Sequence, residues 1–211
     1  MDNFVITISR YCGSGGSLIG KLLANELKVN IYDRNLLWLA SEESGINESL
    51  FANADEKLKS SLLFRVSKKV YNGELIPPDS DDFTSQENLF NYQAKVLKEL
   101  AKNESYVVIG RCANFILKNH PRLINVFLYA DHDICVKRQI DKLHISQKDA
   151  EILIAQKNRN RKEYYKYFTG RDWDDMTNYD ICLNTGILDD EGCIKQIKSY
   201  MKLKFGEDID I

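Results

Sequence analysis

Gly13-Ser14-Gly15-Gly16-Ser17 is a run of five small residues. Such a run can surround an anion with main-chain N–H groups because no bulky side chain stands in the way. It follows Val5-Ile6-Thr7-Ile8, an apolar, β-branched segment that reads as a buried strand. Ser17 then opens a helical pattern that places Leu18, Leu22 and Leu23 on one face. Strand, glycine loop and helix start together make a phosphate cradle, since the first N–H groups of a helix are unpaired and the positive end of its dipole faces the loop. Against the pattern G-x-x-x-x-G-K-[ST], Gly15 and Ser17 match, Arg10 stands where the first glycine belongs, and Gly16 takes the lysine position. A second register ending in Gly20-Lys21 fails, because Leu22 replaces the hydroxyl residue and its glycines would lie inside the helix.

The chemistry of such a loop is the binding and transfer of phosphate, and a missing ammonium is a large loss. One unit charge at about 4 Å in an effective dielectric of about 20 is worth roughly 4 kcal/mol before desolvation. Another cation must therefore serve. The candidates are Arg10, Lys21, and the pair Arg159 and Arg161 from a basic segment later in the chain, with Lys21 the weakest because it must reach back one helical turn.

Further candidates stand at strand ends. Val29 to Tyr32 reads as a second strand, and Asp33-Arg34 follows at what would be the ligand-facing rim of a parallel sheet; Asp33 either meets a ligand or caps the next helix. Tyr106 to Ile109 reads as a third strand that delivers Gly110-Arg111, an arginine placed to grip a phosphate or a base. Ile124 to Tyr129 and Asp180 to Leu183 complete a set of five strands, and helices are expected at Phe90 to Ala101, Ser146 to Tyr167 and Ile194 to Phe205. Five short strands separated by helices imply a doubly wound parallel sheet, an α/β fold. A helical insertion is expected at about 41–85, with a helix from Asn53 to Tyr71 carrying Arg65. The basic stretch with Lys157, Arg159, Arg161, Lys162 and Lys166 turns at Gly170, the shape of a closing lid over about 157–176.

At 211 residues with 44 % hydrophobic content, the chain fits one domain with an ample core. Its 29 basic and 31 acidic residues leave a net charge of −2, so no global field recruits nucleic acid or an anionic membrane surface. Without a leader or a long apolar run, a cytoplasmic location is expected. The five cysteines are scattered without C-x-x-C spacing and the three histidines show no metal-ligand or triad spacing, which points to reduced thiols and surface histidines.

In ISRYCGSGG, YDRNLL, VVIGRCANFIL and KNRNRKEYYKYFTGRDWDDMTNYDICLN, the chain resembles the cytidylate kinase-like family of the P-loop nucleoside monophosphate kinases over nearly its whole length. The resemblance implies a three-layer αβα P-loop kinase fold in a single domain over 1–211. It implies ATP and Mg2+, with Gly13, Ser14, Gly15, Gly16, Ser17 and Leu18 on the phosphates and Ser17 also on magnesium. Asp33, Arg34 and Arg111 would meet the nucleoside monophosphate acceptor, CMP or dCMP, and Arg159 and Arg161 match lid arginines that serve the transferred phosphoryl group; Arg10 joins them as a catalytic candidate from its place at the loop's start, not from the resemblance. Cys112 stands where an aspartate usually follows the arginine. Nucleotides are the implied partners, and a homo-oligomer is allowed. Two other functions follow from the departures: a nucleotide-binding regulatory protein without turnover, from Gly16, and a kinase for another small phosphate acceptor, from Cys112.

Overall fold

The computed structural model describes residues 3–54 and 73–206. Five parallel strands form one sheet: β1 (Val5–Arg10), β2 (Asn30–Tyr32), β3 (Tyr106–Ile109), β4 (Leu123–Tyr129) and β5 (Ile181–Asn184), in the order β2-β3-β1-β4-β5. The helices that carry the chain between them are α1 (Gly16–Glu26), α2 (Asn35–Ser44), α3 (Glu48–Ala54), α4 (Gln86–Asn103), α5 (Ala113–Ile116), α6 (His132–Leu143) and α7 (Gln147–Thr169), with α8 (Asp190–Phe205) closing the fold. The sheet is covered on both faces, which is why its strands are apolar runs rather than alternating ones. Along β1 and β3, Val5, Tyr106 and Val108 pack on one side with Leu36, Phe90, Leu97 and Tyr164. Ile6, Ile8, Val107 and Ile109 pack on the other with Ile19 and Leu23 of α1 and Ile194 and Ile197 of α8. This is the expected three-layer αβα arrangement. No described helix is long and apolar enough to cross a membrane.

β1 extends past the expected Ile8 because its partner continues: Ser9 and Arg10 lie in register with Phe127 and Leu128 of β4. Main-chain pairing carries the strand where side-chain polarity alone suggests a stop. That extension holds Arg10 in the sheet, at 7 % exposure, immediately before the glycine loop.

The apolar face of α1 differs from the expected one. Leu18 and Leu22 are exposed, and the buried face is Gly16, Ile19, Gly20, Leu23 and Ala24. The helix is seated by small residues: a Cβ on Gly20 would stand 2.5 Å from the Ile109 Cδ1 atom. Close approach to the sheet selects the stripe with the glycines, not the one with the most leucines.

In the expected insertion, α2 runs without a break through Ser44, so a boundary at 41 falls inside a helix. Phe51 and Ala54 of α3 join Leu37, Ala40, Leu89 and Tyr92 in a cluster of their own. Most of the helix expected over Asn53 to Tyr71, with Arg65, lies outside the described residues. Within the expected lid, α7 stops at Gly170 in the left-handed region (φ 71°). The chain then returns to bury Trp173, which meets Tyr11 and Phe127 edge-on at centroid distances of 5.6 and 5.3 Å. Tyr164, Tyr165 and Phe168 are buried in the main core as well, so this segment is rooted at its C-terminal end. Four cysteines are buried and Cys182 is exposed, all as free thiols.

Candidate functional site

All five strands point their carboxyl ends at one rim, and the candidate residues collect there. The loop after β1 needs its glycines for two reasons. Gly13 (φ 87°) and Gly15 (φ 79°) adopt left-handed backbone, and a Cβ on Gly13 would stand 2.7 Å from both the Cβ and the carbonyl oxygen of Cys135. The loop is pinned from outside. Cys12 N–H donates to the Asn158 Oδ1 atom of α7 at 2.9 Å. The Ser14 carbonyl accepts from Thr185 Oγ1 at 2.6 Å and from the Arg138 Nη1 atom at 3.2 Å. Arg138 also donates to both the hydroxyl and the carbonyl of Thr185, so one guanidinium ties α6, the loop after β5 and the glycine loop together. The first helical bonds of α1 are donated by Leu18 and Ile19 to the Gly15 carbonyl. The amides of Gly16 and Ser17 precede them and face the N-terminal end of the helix.

Above this loop lies a cleft of about 490 Å³ whose walls carry six cationic side chains: Arg10, Lys21, Arg138, Lys142, Lys157 and Arg161. Among the described residues no Asp or Glu lines it. Gly13, Gly15, Gly16, Ser17 and Leu18 form its floor and edge, while Ser14 is fully buried beneath them. A concave, water-accessible space with this charge and with helix N-terminal amides at its base is suited to a polyphosphate.

Arg161 is in the cleft and donates to the Arg10 carbonyl at 2.9 Å. Arg159 is exposed and does not line it. Helix geometry explains the difference, for Lys157, Asn158 and Arg161 share a face of α7 and Arg159 points away from it. On the expectation that this cleft serves phosphoryl transfer with Arg161 on a closing lid, Arg161→Ala should lower turnover by about 10-fold and change nucleotide affinity less, because such contacts tighten as charge develops. Arg159→Ala should leave both within about 2-fold, as exposed cations usually do. Steady-state kinetics paired with nucleotide titration reads both; equal losses for the two variants would contradict the assignment.

Sequence reasoning passed over Arg138, Lys142 and Lys157 as cleft residues. The available signal was spacing: Arg138 with Lys142 and Lys157 with Arg161 are both i,i+4 pairs, each of which puts two cations on one helix face.

Beside the cleft a small pocket of about 20 Å³ is lined by Gly110, Arg111, Cys112, Tyr164 and Trp173, together with Arg10 and Arg161. Gly110, Arg111 and Cys112 have φ values of 73°, 60° and 53°, three successive residues in the left-handed region. Two of them carry side chains, and such conformations persist only when the surroundings impose them. Arg111 is buried at 4 % exposure and forms an ion pair with Asp33 at 3.8 Å, too long for a hydrogen bond. Burial pushes its guanidinium down to about 10; Tyr164 and Asp33 pull it up, and the charges of Arg10 and Arg34 press it down again. Arg10 and Arg34 thus add positive charge around a buried guanidinium, a setting that favours a bound anion. Asp33 does not cap α2. The capping position belongs to Arg34, which is exposed and makes no side-chain cap, and the Asp33 carboxylate goes to Arg111 instead.

Sheet order, covering helices and a glycine loop that feeds a helix N-terminus define a P-loop kinase type of fold. More narrowly, the chain belongs to the cytidylate kinase-like family, whose family model matches residues 5–187. It is 25 % identical over 208 residues to the cytidylate kinase of Archaeoglobus fulgidus, covering 94 % of this chain and 95 % of that protein. Among solved structures it resembles an uncharacterized protein from Eubacterium ventriosum, with a TM-score of 0.69 and 24 % identity over 95 % of this chain and 99 % of the other. Shikimate kinase from Bacteroides thetaiotaomicron shares the fold at a TM-score of 0.53 and 17 % identity, over 94 % and 98 % of the two chains.

Proposed function

We propose that the protein is a nucleotide-binding phosphotransferase that moves the γ-phosphoryl group of ATP to a nucleoside monophosphate, CMP or dCMP. The observation that carries this is the cationic cleft itself: six positive side chains over a glycine loop and helix N-terminus, opening beside a second pocket that holds a buried arginine. In the reaction, an oxygen of the acceptor phosphate attacks the γ-phosphorus. The bond from phosphorus to the β–γ bridging oxygen breaks, and its electron pair leaves on ADP. No covalent bond to the protein is needed, so catalysis is positioning and compensation of charge. Loop amides and the cleft cations hold the triphosphate, Arg111 with Arg34 holds the acceptor phosphate, and Asp33 keeps Arg111 in place.

Magnesium keeps several waters and relies on substrate phosphates for much of its coordination. The Ser17 hydroxyl on the cleft wall is an oxygen donor of the kind that suits it. Bound there, the ion would neutralise charge on the β- and γ-phosphates.

Kinase assays coupled to ADP release, run with ATP and Mg2+ over CMP, dCMP, UMP, AMP and GMP, test the reading. Turnover of a cytidine nucleotide is expected; folded protein that turns over no monophosphate would overturn it. Cys112 favours a second reading, a different phosphate acceptor. Its thiol is buried in the apolar cluster with Ala113, Ile116 and Tyr165, where the family resemblance places a carboxylate. Under that reading Cys112→Asp shifts the acceptor profile toward cytidine nucleotides, and an unchanged profile rejects it.

A further inference from the structure

We infer that Arg10 and Gly16 have exchanged the roles that a phosphate loop ordinarily gives to its first glycine and its lysine, and that Arg10 is the catalytic cation bridging donor and acceptor. The inference rests on the phosphotransferase reading and assigns the part played there by the missing ammonium.

Three observations converge on it. First, the two positions compete for one space. A Cβ on Gly16 would stand 2.7 Å from the Arg10 Cβ and 3.1 Å from its Cγ. Any side chain at position 16, a lysine included, would therefore collide with the stem of Arg10, so glycine at 16 is the condition for arginine at 10. Second, Arg10 and Arg161 are the two residues that line both the main cleft and the small pocket of Arg111, among the described residues. A phosphoryl group moving from a nucleotide on the glycine loop to an acceptor at Arg111 would move between the two spaces these side chains share. Third, the charge of Arg10 is felt at Arg111, whose guanidinium it presses down. The Arg10 stem covers the helix start, and because the residue lines both spaces its charge acts on the acceptor side as well as on the glycine loop.

Position supports the assignment. Arg10 is the last residue of β1, in register with Leu128 of β4, and its carbonyl is held by Arg161. A strand-held backbone anchors the stem of this cation, so its head has only side-chain torsions to settle as charge develops on the three γ-oxygens. A guanidinium can also contact two oxygens at once, one on each phosphate, where an ammonium is a point charge. The transfer needs no further reactant: the acceptor oxygen forms its bond to the γ-phosphorus, the bridging oxygen leaves with its pair on ADP, and Arg10 exchanges no proton.

The test is a four-member set: wild type, Arg10→Met, Arg10→Gly, and Arg10→Gly combined with Gly16→Lys. Met keeps a stem over Gly16 and loses the charge, so it guards against simple misfolding. Arg10→Met and Arg10→Gly should both lower turnover by about 50-fold while ADP affinity by calorimetry stays within about 3-fold, since ADP lacks the group Arg10 serves. With the stem gone, the added lysine has room, and the double variant should recover about 10-fold over Arg10→Gly. Gly16→Lys alone, with Arg10 in place, should lose activity. Near wild-type turnover in Arg10→Met, or a folded double variant no faster than Arg10→Gly, would overturn the exchange. If the wild-type protein itself neither binds ADP nor turns over a monophosphate, the underlying phosphotransferase reading has failed instead.

Discussion

Gly13→Ala should lower the melting temperature by about 6–12 °C and weaken ATP binding by at least about 100-fold. Two penalties add. The residue lies at φ 87°, and a side chain in left-handed backbone costs about 1–2 kcal/mol. The new methyl would also meet the Cβ, Cα and carbonyl oxygen of Cys135 at 2.7–2.8 Å. Two of those three are main-chain atoms in the first turn of α6, so no rotamer change clears the space, and overpacking of this sort costs about 1–3 kcal/mol. A total of about 3 kcal/mol converts to the stated shift at about 2–4 °C per kcal/mol for a chain of this size. Binding suffers separately because relief requires the loop to lift from α6, and lifting it strains the Ser14 carbonyl bonds to Arg138 and Thr185. Gly45→Ala is the matched control. Gly45 has φ 72° with open space around its absent side chain, so it should lose only about 1 kcal/mol, or 2–4 °C, with ATP affinity unchanged. Thermal melts and ATP titrations on both variants give the comparison, and an equal effect at both positions would show that the Cys135 contact contributes nothing.

Tyr106 to Ile109 is legible to the residue because a buried parallel strand between turn residues leaves little choice of period or boundary. The glycine loop is legible for a related reason: crowded glycines before a helical pattern have few uses. What sequence periodicity could not supply is depth. On α1, leucine spacing suggested one face while close approach of Gly16 and Gly20 to the sheet chose another. On α7, the i,i+4 spacing puts Lys157 and Arg161 on one face but does not say that this face meets the loop; the docking of Asn158 on Cys12 and of Arg161 on the Arg10 carbonyl, with Tyr164, Tyr165 and Phe168 in the core, fixes the rotation that admits Arg161 and excludes Arg159. Arg138 reaches the loop from 124 residues away in sequence, a distance over which no local pattern speaks. For Asp33 the sequence offers a ligand contact or a helix cap, and what the fold adds is a third use, a long-range ion pair with Arg111.

Arg111 offers the second large effect, with an outcome that separates function from stability. On the proposed role of Arg111 as holder of the acceptor phosphate, removing its buried charge costs about 2–5 kcal/mol, and a loss near 3 kcal/mol raises the acceptor KM by about 100-fold. ATP affinity should change by less than about 3-fold, because Arg111 lies in the small pocket and does not line the main cleft. Arg111→Lys should recover little, since an ammonium cannot reproduce a planar two-contact grip. The fold should survive truncation. Asp33, the partner left behind, is 36 % exposed in its side chain and can be solvated. Backbone conformation then distinguishes two truncations that delete the same contacts. At φ 60° alanine is strained and glycine is not, so Arg111→Gly should melt about 2–8 °C above Arg111→Ala, from a difference of about 1–2 kcal/mol. Both should bind acceptor equally poorly. A pair of variants that differ in melting temperature and match in acceptor KM would show that the left-handed run Gly110–Cys112 holds a strained backbone for the sake of the guanidinium. An acceptor KM unchanged in both would place the acceptor phosphate elsewhere and leave Arg111 as the structural partner of Asp33.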